Sequence, residues 1–154
     1  MRFSPNKNPY KDHFGAYIAK GGKKSNDPGY YLHLSPANGS FVAGGVWFLP
    51  PEELKAARQE IDYNHGELEL ALQSPEFRKH FNGLQGEKLS RPPKGYEKDN
   101  LAIELLKMKQ WTASCPLQDD DLTTGPGYDF ILEAMRALKP LNDFFTRPLD
   151  DLRL

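Results

Sequence analysis

Residues 29–53 read GYYLHLSPANGSFVAGGVWFLPPEE, and this stretch decides the predicted fold. Side chains alternate between the two faces of a β-strand, so Tyr31 and His33 should share one face while the apolar residues between them point to the core. Residues 35–40 are rich in turn formers and should reverse the chain. β-forming residues then lead to two prolines and two glutamates at 50–53, which is typical of a helix start. The stretch therefore predicts a hairpin followed by a helix.

Gly44 and Gly45 lie in the middle of the second strand of this hairpin. A glycine pair inside a strand indicates either a β-bulge or a place where another backbone or a ligand comes close. Of the two interpretations we favour the bulge.

Composition narrows the class of protein. The chain has 154 residues, a common size for one domain, and 1–154 is predicted to be a single domain. Its 20 basic and 21 acidic residues nearly balance, so we expect neither nucleic acid nor a membrane as a partner. The sequence shows no apolar run near the roughly 20 residues of a membrane span and no secretory leader. Together with a single cysteine, this favours a cytoplasmic protein.

Hydrophobic periodicity predicts an α+β fold, with helices packed on one face of a mainly antiparallel, twisted sheet. Strands are predicted near residues 14–19, 30–35, 41–49 and 111–115. Helices are predicted near residues 52–62, 75–82, 100–109 and 128–146. The first helix is expected to end at the Tyr63–Gly66 segment, after which residues 67–73 could form another turn or two, and Pro140 should kink or restart the last helix. Ser74 before a proline is a strong helix-start signal.

Positive charge is concentrated in two stretches. Residues 1–24 hold six basic residues against one acid, which usually marks a solvated surface and here is also a candidate anion site. The EKLSRPPKGY stretch places Arg91 and Lys94 around two prolines that stiffen the backbone. A rigid loop presents cations to an anion at low entropic cost. The structural alternative, that Arg91 pairs with Glu87 or Glu97, is equally compatible with the sequence.

The usual catalytic patterns are missing from the sequence. The four histidines, His13, His33, His65 and His80, never fall in a paired metal-ligand spacing, so neither a metal site nor a cofactor is predicted. The chain also has no Gly-x-Ser-x-Gly elbow, no Rossmann glycine pattern and no Cys-x-x-Cys pair. Cys115 has no charged neighbour that would lower the thiol pKa, so we interpret it as a buried structural residue.

Several motifs form a pattern that spans nearly the whole chain. They are Arg2-Phe3-Ser4, Pro9-Tyr10-Lys11, Phe14-Gly15, Gly29-Tyr30-Tyr31-Leu32-His33-Leu34, Glu87-Lys88-Leu89, Arg91-Pro92-Pro93-Lys94-Gly95-Tyr96, Ala102-Ile103-Glu104-Leu105-Leu106-Lys107 and Leu138-Lys139-Pro140-Leu141-Asn142. The pattern resembles a widespread bacterial and fungal family known only as a domain of unknown function. Members usually carry a further helical segment before the Arg-Phe-Ser motif, so the resemblance implies that this chain is the later part of the family domain. It implies no catalytic residues, because the family has none established.

Two functions of different classes remain as hypotheses. We favour a non-catalytic binding module for a small anionic ligand at a basic surface lined by tyrosine and histidine. Its candidate residues are Arg2, Lys7, Lys11, Tyr31, His33, Arg91 and Lys94. This hypothesis requires at least three of those cations in one pocket.

The alternative is a protein-interaction domain. It would use exposed aromatic residues such as Trp47 and Tyr96, or the apolar surface uncovered by a missing N-terminal segment. A weaker third hypothesis is an enzyme that uses His33 with a carboxylate such as Glu104. The sequence leaves open whether the protein is an enzyme.

Overall fold

A computed structural model describes residues 12–154. Four strands form one antiparallel sheet in chain order, and they are Phe14–Ala19 (β1), Gly29–Leu34 (β2), Ser40–Val46 (β3) and Trp111–Leu117 (β4). The helices are Pro51–Gln73 (α1), Pro75–His80 (α2), Ile103–Leu106 (α3), Gly125–Ala137 (α4) and Lys139–Leu152 (α5), with a 3-10 turn at Asp119–Leu122. Each predicted strand overlaps an observed one, which confirms the α+β class.

The core lies between one face of the sheet and the helices. The strand register aligns Leu32, Val42 and Cys115 on this face, and α4 and α5 pack against β3 there. Trp111 is fully buried and stacks on Phe145 of α5, with ring centroids 5.1 Å apart. Burial of an apolar side chain of this size stabilises a fold by about 1.5–3 kcal/mol. The sheet is therefore held mainly through β3 and β4.

Gly44 and Gly45 do not form a bulge, so the favoured interpretation is wrong. β3 pairs residue for residue with β2 and β4 through both glycines. Gly44 lies against Leu138, whose side chain would be only 2.7 Å from an added Cβ atom. Gly45 has a φ of +110°, and a Cβ atom there would clash with the carbonyl oxygen of Trp111. Close packing by neighbouring atoms explains the pair.

Helix α1 is interrupted inside the Tyr63–Gly66 segment, where the first helix was expected to end. Asn64 has non-helical angles there, φ −130° and ψ 29°, and the helical turns after this kink run on to Gln73. Arg147 of α5 bonds carboxylates on both sides of that kink, 2.6 Å to Glu60 and 2.9 Å to Glu67. These contacts hold the helical turns on both sides of the kink against α5.

The three remaining helix predictions differ in outcome, and the helix predicted near 75–82 is observed as α2. The last helix restarts as predicted, because α4 ends at Ala137 and α5 begins with Pro140 in its first turn. The helix predicted over 100–109 shrinks to the four residues of α3. In a longer helix the carbonyl of Leu105 would accept a backbone hydrogen bond from the residue four positions later. Here the indole N–H of Trp111 donates to it instead, at 2.9 Å.

An ion cluster joins distant parts of the chain. The guanidinium of Arg153, just after α5, bonds the carboxylates of Asp27 and Glu53. Asp27 belongs to the β1–β2 connection and is 4% exposed, and Glu53 lies in the first turn of α1. The cluster therefore fixes the end of α5 against the start of α1 and the loop between the first two strands. Within the described part of the chain, no helix combines the length and apolarity needed to cross a bilayer.

Candidate functional site

A groove of about 850 Å³ lies between α1 and the loop that contains the Arg-Pro-Pro-Lys-Gly-Tyr motif. We call it the basic groove, and it is lined by Pro51, Leu54, Lys55, Arg58, Gln59, Asp62, Tyr63, Pro93, Lys94, Gly95 and Tyr96. The volume falls in the range of about 300–1,000 Å³ that small-molecule sites occupy.

The loop side of the groove is a tight turn that follows from its sequence. The amide N–H of Tyr96 donates to the carbonyl of Pro93 at 3.1 Å. Gly95 has a φ of +93°, as the third position of a type II turn requires. Lys94 therefore occupies the corner of the turn, where its side chain borders the groove. Pro93 is buried beneath it.

The helix side of the groove is anchored by Arg58. Its Nε donates to the carbonyl of Leu106 at 2.9 Å, and its Nη2 donates to the carbonyl of Met108 at 3.1 Å. Burial lowers the pKa of Arg58, although an arginine side chain stays protonated at every physiological pH. The Nη1 amino group makes no hydrogen bond to residues 12–154. Arg58 therefore brings a fixed positive charge to the groove wall.

The groove has a net positive charge. Lys55, Arg58 and Lys94 contribute three positive charges, and Asp62 is the one carboxylate among the lining residues. Asp62 accepts a hydrogen bond from the amide of Asn100 at 2.7 Å, so one of its oxygens is already occupied. No carboxylate of residues 12–154 forms a salt bridge with Lys55 or Lys94. Their ammonium groups are therefore available to an anion.

Two tyrosines complete the wall. Tyr63 is 70% exposed, whereas Tyr96 is half-buried and packs against the core. Burial raises the pKa of the Tyr96 hydroxyl, the carboxylate of Asp62 raises it further, and the guanidinium of Arg58 opposes both. The phenol is therefore neutral at physiological pH and can donate a hydrogen bond to an oxyanion.

A second surface, which we call the open face, is the side of the sheet opposite the core. There the hydroxyl of Tyr31 and Nδ1 of His33 are 3.0 Å apart. The His33 ring stacks between Phe41 and His13, with centroids 4.8 Å and 5.1 Å away. Beside this stack lies a shallow cavity of about 270 Å³, lined by Tyr31, Phe41, Ala43, Trp47, Gln85, Thr112, Ala113 and Ser114. The open face therefore offers flat aromatic surface with a few polar groups.

The structure brings only some of the predicted site residues together. Tyr31 and His33 share the open face, whereas Lys94 borders the basic groove, and the two cavities have no lining residue in common. Arg91 is exposed and forms no salt bridge with Glu87 or Glu97, and Glu87 pairs with Lys109 instead. Arg2, Lys7 and Lys11 lie outside the described residues, so their place at the site stays a prediction.

Sequence reasoning missed Lys55 and Arg58. Both lie on the polar side of an amphipathic helix, where charged residues usually only face water. The sequence signal for this pair was their separation by three positions, which puts both side chains on the same side of a helix. What distinguishes Arg58 is its contact with the carbonyls of Leu106 and Met108, nearly fifty residues away in sequence.

Catalytic groups are sparse among the described residues. No group of three or more His, Cys, Asp or Glu side chains within residues 12–154 is arranged to hold a metal ion. Cys115 is buried, as predicted, and burial raises the pKa of its thiol, which disfavours the reactive thiolate. Glu104 bonds Lys88 at 3.1 Å, while His33 bonds Tyr31. The pairing of His33 with Glu104 gains no support.

The comparisons with known proteins identify a family. The model of the conserved hypothetical protein family DUF2461 matches residues 1–144, and the chain belongs to that family. No curated protein matches the chain, and no solved structure matches it. The family assignment agrees with the resemblance seen in the sequence motifs and adds no activity to it.

Proposed function

We propose that this member of the family is a non-catalytic binding module for a small anionic ligand, and that the ligand occupies the basic groove. The observation that supports the proposal is the charge of that groove, where Lys55, Arg58 and Lys94 surround a single carboxylate, Asp62. Convergent cations in a concave surface attract an anion before contact and bind it after contact. Arg58 adds a preorganised donor, because its side chain is already held by two carbonyls.

The lining also suggests what the rest of the ligand is like. Leu54, Pro51 and Pro93 provide apolar surface, and Tyr63 and Tyr96 provide aromatic surface. Apolar walls with a few placed polar groups suit an organic molecule that carries a phosphate or carboxylate. Phenyl phosphate, which joins an aromatic ring to a dianion, is therefore a suitable probe. Inorganic phosphate alone should bind more weakly because it fills less of the groove.

A second location for the same function is the open face. The stacked rings of His13, His33 and Phe41 favour it, since flat rings bind planar ligands well. The sequence hypothesis draws the charge for this location from Arg2, Lys7, Lys11, Arg91 and Lys94, of which Lys94 lines the basic groove instead. The two locations predict different effects of substitution, so one set of variants separates them.

The experiment is a thermal unfolding series with phenyl phosphate at constant ionic strength. A ligand at about 100 times its Kd stabilises the folded state by about 2.7 kcal/mol, which raises Tm by about 5–10 °C in a protein of this size. The double variant Lys55→Gln/Lys94→Gln should lose most of that rise. The matched control Lys23→Gln/Lys24→Gln removes two exposed lysines of the β1–β2 connection and should keep it.

The outcomes are distinct. A rise in Tm that both double variants retain and that His33→Ala abolishes would move the site to the open face. Equal loss in both double variants would mean that only net charge matters, and would contradict a specific site. The absence of any rise in the parent protein at tens of millimolar probe would contradict the proposal as a whole.

A further inference from the structure

β1 is an edge strand of the sheet, and its residues are apolar and largely exposed. Within residues 12–154 no strand pairs with the outer side of β1, whose sequence FGAYIA has no charge and no proline. Phe14 is 69% exposed and Ile18 is 60% exposed, and both lie on the same face of the strand as the core residues of β2. Natural edge strands are usually protected by lysine, proline, a bulge or a covering segment, because open edges associate.

The opposite edge of the sheet shows such protection. The backbone of Gln85 exchanges two hydrogen bonds with Thr112 of β4, at 2.6 Å and 3.3 Å. β4 also contains Pro116, which has no N–H to offer. The β4 edge is therefore protected by a paired segment and by a proline. The β1 edge has neither of these features within the described residues.

We propose that β1 pairs antiparallel with β1 of a second copy of this chain, in the register that places Ala16 opposite Ala16. In this register Phe14 of each copy faces Ile18 of the other. Asp12 faces Lys20 of the second copy in the same way, so an acid meets a base at both ends of the pair. Within one copy Lys20 bonds Asp150 at 2.7 Å and Asp12 bonds His13 at 2.8 Å, so these exposed ions would exchange or share partners on pairing. Apolar and opposite-charge cross-strand pairs both stabilise an antiparallel pair of strands. The two sheets would then form one continuous sheet of eight strands.

Neighbouring registers lack this match. A shift by one residue would join the core-side face of one copy to the open face of the other. The exposed apolar side chains of the two copies would then lie on opposite sides of the joined sheet. A shift by two residues places Phe14 opposite Lys20 in one direction, or Asp12 opposite Ile18 in the other. Only the register centred on Ala16 joins apolar to apolar and acid to base. The complementarity of β1 with itself is the reason to name a second copy as the partner.

The test is sedimentation velocity of the full chain over a wide concentration range, with a covalent readout beside it. The parent protein should shift from monomer to dimer as concentration rises. Ile18→Lys should weaken the dimer about tenfold or more, because it places a charge opposite Phe14 of the other copy. The matched control Leu101→Lys alters a side chain that is 87% exposed in a different part of the structure, and it should dimerise like the parent.

The covalent readout uses Ala16→Cys. Residues directly opposite in an antiparallel pair have Cα atoms about 4.5–5.5 Å apart, within the range of a disulfide. Under mild oxidation Ala16→Cys should form a cross-linked dimer, whereas Leu101→Cys should not. A parent that stays monomeric while Ala16→Cys fails to cross-link would overturn the proposal and leave the edge to residues 1–11 or to another protein. A dimer that Ile18→Lys does not weaken would overturn it as well.

Discussion

The β4 end of the sheet is closed and buried, whereas the β1 end is open and exposed. Trp111 and Ala113 of β4 are 0% exposed, and Gln85 pairs with the outer edge of that strand. Phe14 and Ile18 of β1 present more than half of their surface to solvent. The difference indicates a division of roles: the β4 end supplies the stability and the anchors of the basic groove, and the β1 end is left for contact with another strand.

The largest effect expected from this comparison is on stability. Trp111→Ala should lower the free energy of unfolding by about 3–5 kcal/mol, because it leaves a cavity beside Phe145. Phe14→Ala also removes an aromatic side chain, but from the β1 end. It should lower the free energy of unfolding by no more than about 0.5 kcal/mol, because this side chain is exposed. Urea unfolding of both variants at low protein concentration measures the two values. Similar losses would refute the division of roles.

A smaller loss is expected from the anchor of the basic groove. Arg58→Met keeps much of the packing of the side chain but removes the hydrogen bonds to the carbonyls of Leu106 and Met108. Because unpaired buried acceptors are costly, the free energy of unfolding should fall by about 2–3 kcal/mol. Lys55→Met, one helical turn earlier and exposed, is the control and should stay within about 0.5 kcal/mol of the parent. Equal effects would mean that Arg58 is not an anchor.

The smallest effect concerns the buried histidine at the end of α2. The side chain of His80 is 3% exposed and contacts Phe130. Burial lowers the pKa of His80, Lys79 lowers it further and Glu133 opposes both. Glu76 and Arg136 line the same cavity. The folded protein therefore takes up this proton at a lower pH than the unfolded chain, whose histidines protonate near about 6.5.

The sign of the pH dependence follows from this difference. Below about pH 6.5 the unfolded chain binds more protons, so the free energy of unfolding should fall as the pH decreases through that value. His80→Gln should flatten the decrease between pH 7.5 and 5.5, because it removes the group whose pKa burial lowers. Urea unfolding at several pH values provides the measurement. A slope that survives in His80→Gln would assign the effect to other groups.

The sheet was predictable because its signals are local. Alternation identified the strands, and the turn residues at 35–40 identified the hairpin, where Gly39 adopts a φ of +96°. Asn38 precedes it and keeps a negative φ, although asparagine tolerates positive values. The packing of both parts of α1 against α5 was not predictable, because Arg147 crosses the kink from 80 and 87 residues away in sequence.

Only part of the candidate site could be predicted from the sequence, because the rest depends on contacts between residues that are distant in the chain. Lys94 could be identified from its loop, since two prolines and a glycine define the turn that carries it. Lys55 and Arg58 resemble any solvated helix surface until α1 packs beside that loop. Tyr31 and His33 were correctly placed together by strand alternation, yet the register of four strands puts them on a different surface from Lys94.

The most direct test of the central claim is an NMR titration of the ¹⁵N-labelled protein with phenyl phosphate. If the basic groove is the binding site, saturable shifts of the amide resonances should concentrate in residues 55–63 and 94–96. Residues 31–43 of the open face should change little. Saturable shifts confined to residues 31–43, or shifts that never saturate, would contradict the claim.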